Sequence, residues 1–375
     1  MKRTRHYRAL LALGCIPNIG NQRIRALIQH FKDASKIFNA SLPELQQIKG
    51  FGFALARQII KFDGWERVDR ILERTVQCDA RLVALGDSEY PLLLTQIFDP
   101  PPLLWVKGNP AILSVPGIAV IGTRNPDKAG LKQAERWSAA LVRAGLIVNS
   151  GLAYGIDSAA HKTAVDTGGK TIAVLGSGID WIYPPGNSKL AKRIIETGGA
   201  VITEFPPGSK PDAGNFPVRN RIVSGMSLGV LVIQSGLKGG SMITARSALD
   251  QNREVFVIPH TLDNSNGIGG NYLIKTGQGK LVQEIEDLLE EISYEPEPAA
   301  GVQPRQSVKI SLSALAEEDR KICRVLESGP VHLDKLSESL GRSSHELFLQ
   351  LLELEMAGLI CQKAGKYFEL QEHRV

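Results

Sequence analysis

The sequence predicts an α/β protein: an extended parallel sheet with helices on both faces, preceded by a helical region and followed by a winged-helix tail. Three observations carry this. From Gly117 onward, short Val/Ile-rich runs alternate with amphipathic stretches of helical period, the pattern of βα units feeding a parallel sheet. Ahead of them, Tyr7 to about Phe62 reads as small helices punctuated by two similar hairpins. Behind them, Ser311 to Leu370 reads as three helices and a closing hairpin.

Length and composition bound the rest. A chain of 375 residues holds about two to three domains. The expected division is a helical region over 1–64, a sheet core over 65–293, a flexible Pro-rich linker over 294–308 and a winged-helix domain over 309–375. The formal charge of +5 permits an acidic partner without requiring one. Cys15, Cys78, Cys323 and Cys361 are scattered, with no CxxC pair or Cys/His cluster, which argues against a disulfide framework and a structural zinc. No metal and a reducing, cytoplasmic setting are therefore expected. The basic N-terminus precedes an apolar run, Ala9 to Leu13, too short for a signal h-region of about 7–15 residues. No stretch reaches the roughly 20 apolar residues that span a bilayer, so no membrane association is expected.

In the helical region, Ile16-Pro17-Asn18-Ile19-Gly20 and Ile48-Lys49-Gly50-Phe51-Gly52 each stand before an amphipathic helix, in the manner of helix-hairpin-helix modules. The first 32 residues carry seven Lys/Arg and no Asp or Glu, which favours a phosphate-facing surface; packing against a neighbouring domain is the alternative. Between 64 and 116, Tyr90-Pro91 and Asp99-Pro100-Pro101-Pro102 break any long element, and Leu103 to Val106 is a candidate added strand.

Within the core, strand GIAVIG (Gly117–Gly122) leads through Thr123-Arg124-Asn125-Pro126 into a helix, Asp127 to Arg143. LIVNS runs into Gly151-Leu152-Ala153-Tyr154-Gly155 and the helix IDSAAHKTAVDT. TIAVLGSG (Thr171–Gly178) is followed by IDWIYPPGN and the helix SKLAKRIIE, then strand AVITEF. FPVRNRIVSGMS, GVLVIQS, KGGSMITARSAL and EVFVIP follow, and a short strand and an acidic helix close the domain.

Glycine turns thus fall where strands end: Gly122, Gly151 with Gly155, Gly176-Ser177-Gly178, and Gly239-Gly240-Ser241 at a helix start. Open α/β sheets bind ligands at that edge, and a glycine turn at a helix N-terminus offers amides to an anion. None of these turns is GxGxxG or a Walker A loop. Joined to them are Arg124, Tyr183, Asn187, Arg219, Asn220, Arg221 and Lys238. Guanidinium forks suit a polyanion, and Tyr183 offers a face on which an unpaired base stacks. Trp181 reads rather as core filler. His161, within a helix, reads as structural, and Asp157 and Asp180 as caps or loop braces. Ser241 has no visible base, so no nucleophile is assigned.

Together, GIAVIGTR, SGLAYGIDSAAH, TIAVLGSGIDWIYPPGN, ITEFPPG, FPVRNRIVSGMS and GGSMITARSALDQNREVFVIP resemble the DprA/Smf family of DNA-processing proteins, in order and across nearly the whole chain. The resemblance implies an extended Rossmann-like core between a helix-hairpin-helix/SAM-like domain and a winged-helix domain. It further implies a non-enzymatic protein of natural transformation that binds and protects incoming single-stranded DNA, loads the RecA recombinase and works as a homodimer, with no cofactor. The family's DNA-binding positions carry over to Gly122, Thr123 and Arg124; to Gly176, Ser177, Gly178, Tyr183 and Asn187; to Arg219, Asn220 and Arg221; and to Gly239, Gly240 and Ser241, with Lys238 beside them. The late motif departs from the family's pattern at Gly270-Asn271-Tyr272 and Gly277-Gln278, and His260 stands where a glycine is common, so no contacts transfer there. The alternative is a nucleotide-handling enzyme like the lysine-decarboxylase-like phosphoribohydrolases, whose PGGxGT loop would fall near Lys238-Gly239-Gly240-Ser241. The proline and the GT are missing. The tail also departs from the default for its shape: residues 311–375 hold eight Lys/Arg against eleven Asp/Glu, and its third helix has no Lys or Arg. Such a face gains little from counterion release, so it reads as a protein-contact or regulatory module.

Overall fold

A computed structural model describes residues 2–294, 317–326, 329, 331–356, 359–363 and 367–370. The chain divides into two compact units, residues 1–297 and 298–375. Beyond residue 294, the linker expected over 294–308 lies outside the described residues.

The first unit begins with α1 (Lys2–Gly14), α2 (Asn21–Phe31), α3 (Ala34–Ile37), α4 (Leu42–Gln46), α5 (Phe53–Ile60) and α6 (Trp65–Gln77). The two hairpins are conformational equivalents, because Asn18 (φ 64°) and Gly50 (φ 87°) both take the left-handed backbone that the turn needs. Asn tolerates that region better than most residues, so the missing glycine of the first hairpin costs little. These helices are not a separate layer. Leu10, Leu27, Ile37 and Ile59 share one buried core with Trp105, Leu175 and Val201 of the sheet region. At that seam the Trp105 indole N–H donates to Thr75 Oγ1 (2.9 Å).

The sheet and its helices follow as β1 (Arg81–Ala84), α7 (Leu92–Thr95), β2 (Leu103–Gly108), β3 (Gly117–Gly122), α8 (Lys128–Arg143), β4 (Ile147–Ser150), α9 (Ile156–Asp166), β5 (Thr171–Val174), α10 (Ser188–Glu196) and β6 (Ala200–Thr203). They continue as α11 (Asn215–Gly225), β7 (Gly229–Gln234), α12 (Gly240–Asp250), β8 (Glu254–Val257), α13 (Ile268–Lys275), β9 (Lys280–Leu281) and α14 (Ile285–Glu291). Strand order is β1-β2-β6-β5-β4-β3-β7-β8-β9. All neighbours from β6 to β9 pair in parallel, while β1 and β2 add an antiparallel edge. The expected strand at Leu103 is therefore present. Its partner RLVA, four residues in the Pro-broken stretch between 64 and 116, was not legible as a strand.

This order fixes where a ligand sits. From β3 the chain winds outward through β4, β5 and β6, then crosses back to β7 on the other side of β3. The helices after β3 and β7 therefore diverge, and a crevice opens at the carboxyl ends of these two strands, the switch point of the sheet.

The second unit holds α15 (Glu317–Leu326), β10 (Val331–His332), α16 (Leu333–Leu340), α17 (Ser344–Met356), β11 (Ile360–Lys363) and β12 (Tyr367–Leu370), with sheet order β10-β12-β11. Leu326, Leu336, Leu347, Leu351 and Phe368 form its core. That is a winged helix.

Candidate nucleic-acid interface at the switch point

A cavity of about 680 Å³ opens at that crevice. It is built by the turn after β3, the loop after β4, the loop carrying Tyr183, the loop of Pro211 and Ala213, one face of α11, and the loop from β7 into α12. Hydrogen bonds hold the turn after β3 in place. The Thr123 amide donates to the Gln234 carbonyl (2.7 Å), and the Ile156 amide donates to the Thr123 carbonyl (3.2 Å). The Gln234 side chain then clamps Asp127, donating to Oδ2 (2.7 Å), while Asp127 Oδ1 caps α8 at the Gly130 amide (2.7 Å). Gly155, at φ 79°, lets α9 begin against this turn; a Cβ there would lie 2.4 Å from the Thr123 carbonyl oxygen. Arg124 thus projects from a fixed turn.

On α11, Phe216, Arg219, Asn220 and Val223 recur at helical spacing and share the face that lines the cavity. Arg219 is buried, donating to the carbonyls of Gly151 (2.7 Å) and Val174. Burial lowers its pKa to about 10, Asp157 opposing the shift and Arg124 adding to it. It stays charged at neutral pH. Asp157, on the cavity wall, accepts from the amides of Gly151 (3.1 Å) and Ala153 (3.3 Å), and burial pushes its pKa up. His161 behind it is fully buried with Nδ1 2.7 Å from Thr171 Oγ1; burial and Arg219 depress its pKa to about 3, so it is neutral. Asp157 is the loop brace that the sequence implied, and Asp180 is another, accepting from the Gly208 amide (2.8 Å).

The rim is cationic and aromatic. Arg124 and Lys238 are exposed and, among the described residues, unpaired with any carboxylate. The Phe216 ring lies between two guanidinium groups, 5.8 Å from Arg124 Cζ and 5.9 Å from Arg219 Cζ, and 5.5 Å from the half-exposed Tyr183 ring. Across the opening, Gly239 precedes α12 with extended backbone and no side-chain cap, so the first amides of that helix face the crevice. Ser241 Oγ is tied to Ser235 Oγ (2.7 Å), and Asn220 Nδ2 donates to the Gly240 carbonyl (3.3 Å).

Of the residues singled out in the sequence, Gly122, Thr123, Arg124, Tyr183, Arg219, Asn220, Lys238, Gly239, Gly240 and Ser241 come together around this one cavity. The others support it from behind. A Cβ on Gly176 would lie 2.7 Å from the Phe216 ring, so that glycine makes room for the aromatic. Ser177 Oγ donates to the Trp181 carbonyl (2.6 Å), and the Gly178 amide to the Ser209 carbonyl (2.8 Å). Buried Asn187 donates to the Leu152 carbonyl and Ser158 Oγ, each at 2.8 Å. Arg221 points away from the cavity, to Glu204 (2.6 Å) and Asp99 (3.4 Å). Trp181 is not core filler: it is 44% exposed, because the Ile179–Pro185 loop turns its ring outward. Phe216 was missed. Its signal was present, an aromatic three residues before Arg219 on the same helix. His260, the unusual residue after Pro259, donates from Nε2 to the Ile233 carbonyl (2.7 Å), and Asn271 bonds both its amide (3.0 Å) and its carbonyl (2.8 Å). The two departures from the family pattern thus brace one another.

Among the described residues no group of three or more His, Cys, Asp or Glu is placed to hold a metal ion, and no helix is long and apolar enough to cross a membrane.

Comparison with known proteins follows the same outline. A family model described as DNA recombination-mediator protein A matches residues 81–293, a DprA winged helix domain matches 309–366, and a helix-hairpin-helix motif matches 8–71. Protein Smf of Synechocystis sp. is 31% identical over 96% of this chain and 97% of its own length. The X-ray structure of DNA processing protein A from Streptococcus pneumoniae superposes with a TM-score of 0.66 at 34% identity, covering 78% of this chain and 99% of that one. DNA processing protein A from Helicobacter pylori, solved for its single-stranded DNA binding mode, gives a TM-score of 0.52 at 29% identity over 58% of this chain and 97% of that one.

Proposed function

This chain belongs to the DNA recombination-mediator protein A family, and on that premise we propose that it binds single-stranded DNA in the switch-point crevice. We read it as a non-enzymatic mediator that protects incoming strands during natural transformation, hands them to a RecA-type recombinase, and works as a cytoplasmic homodimer. The observation that carries the binding claim is the rim itself. Arg124 and Lys238, unpaired among the described residues, and the α12 amides favour phosphates, while Phe216 and Tyr183 give unstacked bases a face. Duplex hides those faces, so the site favours single strands. A solved relative described by its single-stranded DNA binding mode supports this reading. So does Asp157, the carboxylate on the cavity wall: its Oδ2 accepts from two backbone amides and Arg219 stands nearby, an arrangement suited to bracing a loop more than to acid–base chemistry.

The division of labour we propose keeps strand binding in 65–293, with 309–375 as a protein-contact module. The test is an anisotropy titration with a labelled single strand at several salt concentrations, challenged with unlabelled duplex and with nucleoside monophosphates. Salt-sensitive binding that duplex does not displace is expected. Displacement by monophosphates at low concentration, without strand binding, would turn the reading to the nucleotide-handling enzyme.

A further inference from the structure

On α6, Arg67, Arg70 and Arg74 are spaced by three and four residues and form one stripe. The helix is locked in rotation by Asp69, which takes Arg8 in a two-pronged pair (2.7 and 2.8 Å) on a different face. The three side chains are exposed and, with the loop Pro206–Ser209 opposite, line an open cavity of about 310 Å³. Gly208 sits there at φ 90°, and a Cβ would lie 2.5 Å from Arg74 Nη1, so guanidinium and backbone are fitted to each other. The carboxylates near the stripe are few and loosely held: Asp180 pairs with Arg74 at 3.9 Å while already holding the Gly208 amide, and Glu66, one turn back on the same helix, pairs with Arg70 at 3.9 Å with both side chains largely exposed. Among the described residues Arg67 has no such partner.

The stripe is continuous at both ends. Arg67 also lines a second cavity of about 530 Å³, whose rim carries Arg57, Lys61 and a single carboxylate, Asp63. At the other end, the loop that walls the stripe runs on through exposed Lys210 to Pro211 and Ala213, which line the switch-point crevice. A polyanion leaving the crevice therefore meets Lys210, then Arg74, Arg70 and Arg67 in sequence. We propose that this stripe is a second phosphate-binding segment, which carries a single strand from the crevice onto the N-terminal helices. The inference rests on the crevice binding single strands and extends its footprint; it assigns the contact to the α6 side chains rather than to the hairpin amides.

Two strands distinguish the segment from the crevice. One is a labelled oligothymidylate of about five nucleotides, within the span of a single strand-binding site; the other is several times longer. For the full-length triple variant Arg67→Ala/Arg70→Ala/Arg74→Ala, the short strand binds as in wild type. The long strand binds at least about tenfold more weakly at moderate salt, with a salt slope smaller by about two units, three contacts at about 0.7 each. The triple Arg→Lys variant regains most of the slope. An unchanged long-strand slope overturns the segment and leaves the crevice standing. A fall in short-strand affinity overturns it too, because the stripe would then belong to the crevice or to the fold. Failure of wild type to bind the short strand sinks the crevice reading, and this one with it.

Discussion

The switch-point crevice, where we propose that a single strand binds, and helix α17 of the winged helix, the element such folds lay on DNA, differ in the sign of their exposed charge. At the crevice, Arg124 and Lys238 stand exposed and, among the described residues, unpaired beside helix amides. On α17, the helix that such a fold would lay in a major groove, Phe348, Leu349 and Leu352 are exposed, and the charged positions are Glu346, Glu353 and Glu355. A phosphate backbone approaching α17 meets repulsion and apolar surface, and it releases no counterions. Shape sets what a fold can hold; the sign and pairing of its charges decide what it does hold.

Paired charge is the second half of that lesson, and Arg221 gives the largest effect. Its guanidinium is bonded to Glu204, whose side chain is 9% exposed. Arg221→Ala leaves that carboxylate buried without its cation, held by the Asn21 Nδ2 donor alone (3.4 Å) among the described residues, and should cost about 3–5 kcal/mol of stability. Denaturant unfolding measures the loss, and strand binding by the folded fraction should keep its wild-type salt slope. A normal midpoint with a reduced slope would move Arg221 into the interface and break the distinction between paired and unpaired cations.

The buried layer behind the crevice wall sharpens the comparison through pH. His161 has a pKa depressed from 6.5 to about 3 in the folded chain. The unfolded chain therefore takes up a proton that the native state refuses, and stability from this group, complete above about 6.5, is lost as pH falls from there toward 3. His161→Gln should flatten that fall in a series of unfolding curves between neutral pH and about 4. An equal fall in both proteins would place the acid sensitivity elsewhere. The smallest effect concerns the tail: removing 309–375 should change single-strand affinity by no more than about twofold, since its acidic face adds no favourable phosphate contact. A large drop would erase the contrast between the two regions.

Much of this was legible beforehand. The βα alternation gave the parallel core, and the glycine turns at strand ends marked its binding edge, because chain order and periodicity carry that information directly. Direction around a helix is also written in the spacing. Residues two apart on a helix point about 200° apart, so Arg219 and Arg221 do not share a face, whereas Phe216, Arg219 and Asn220 do. The roles of Gly176, Ser177, Gly178 and Asn187 as supports depend on which loops touch, and that follows from tertiary packing. Strand β1 escaped for a similar reason: four residues have too little pattern to show, and their strand character comes from pairing with β2.

The most direct measurement of the central claim is the salt dependence of single-strand affinity for wild type and for Arg124→Ala/Lys238→Ala, two exposed substitutions that leave the fold's hydrogen bonds alone. The account predicts a slope of log affinity against log salt that is shallower by about 1.4 in the variant, two lost phosphate contacts at about 0.7 each. Identical slopes in two equally stable proteins would contradict it and would place the strand on another surface.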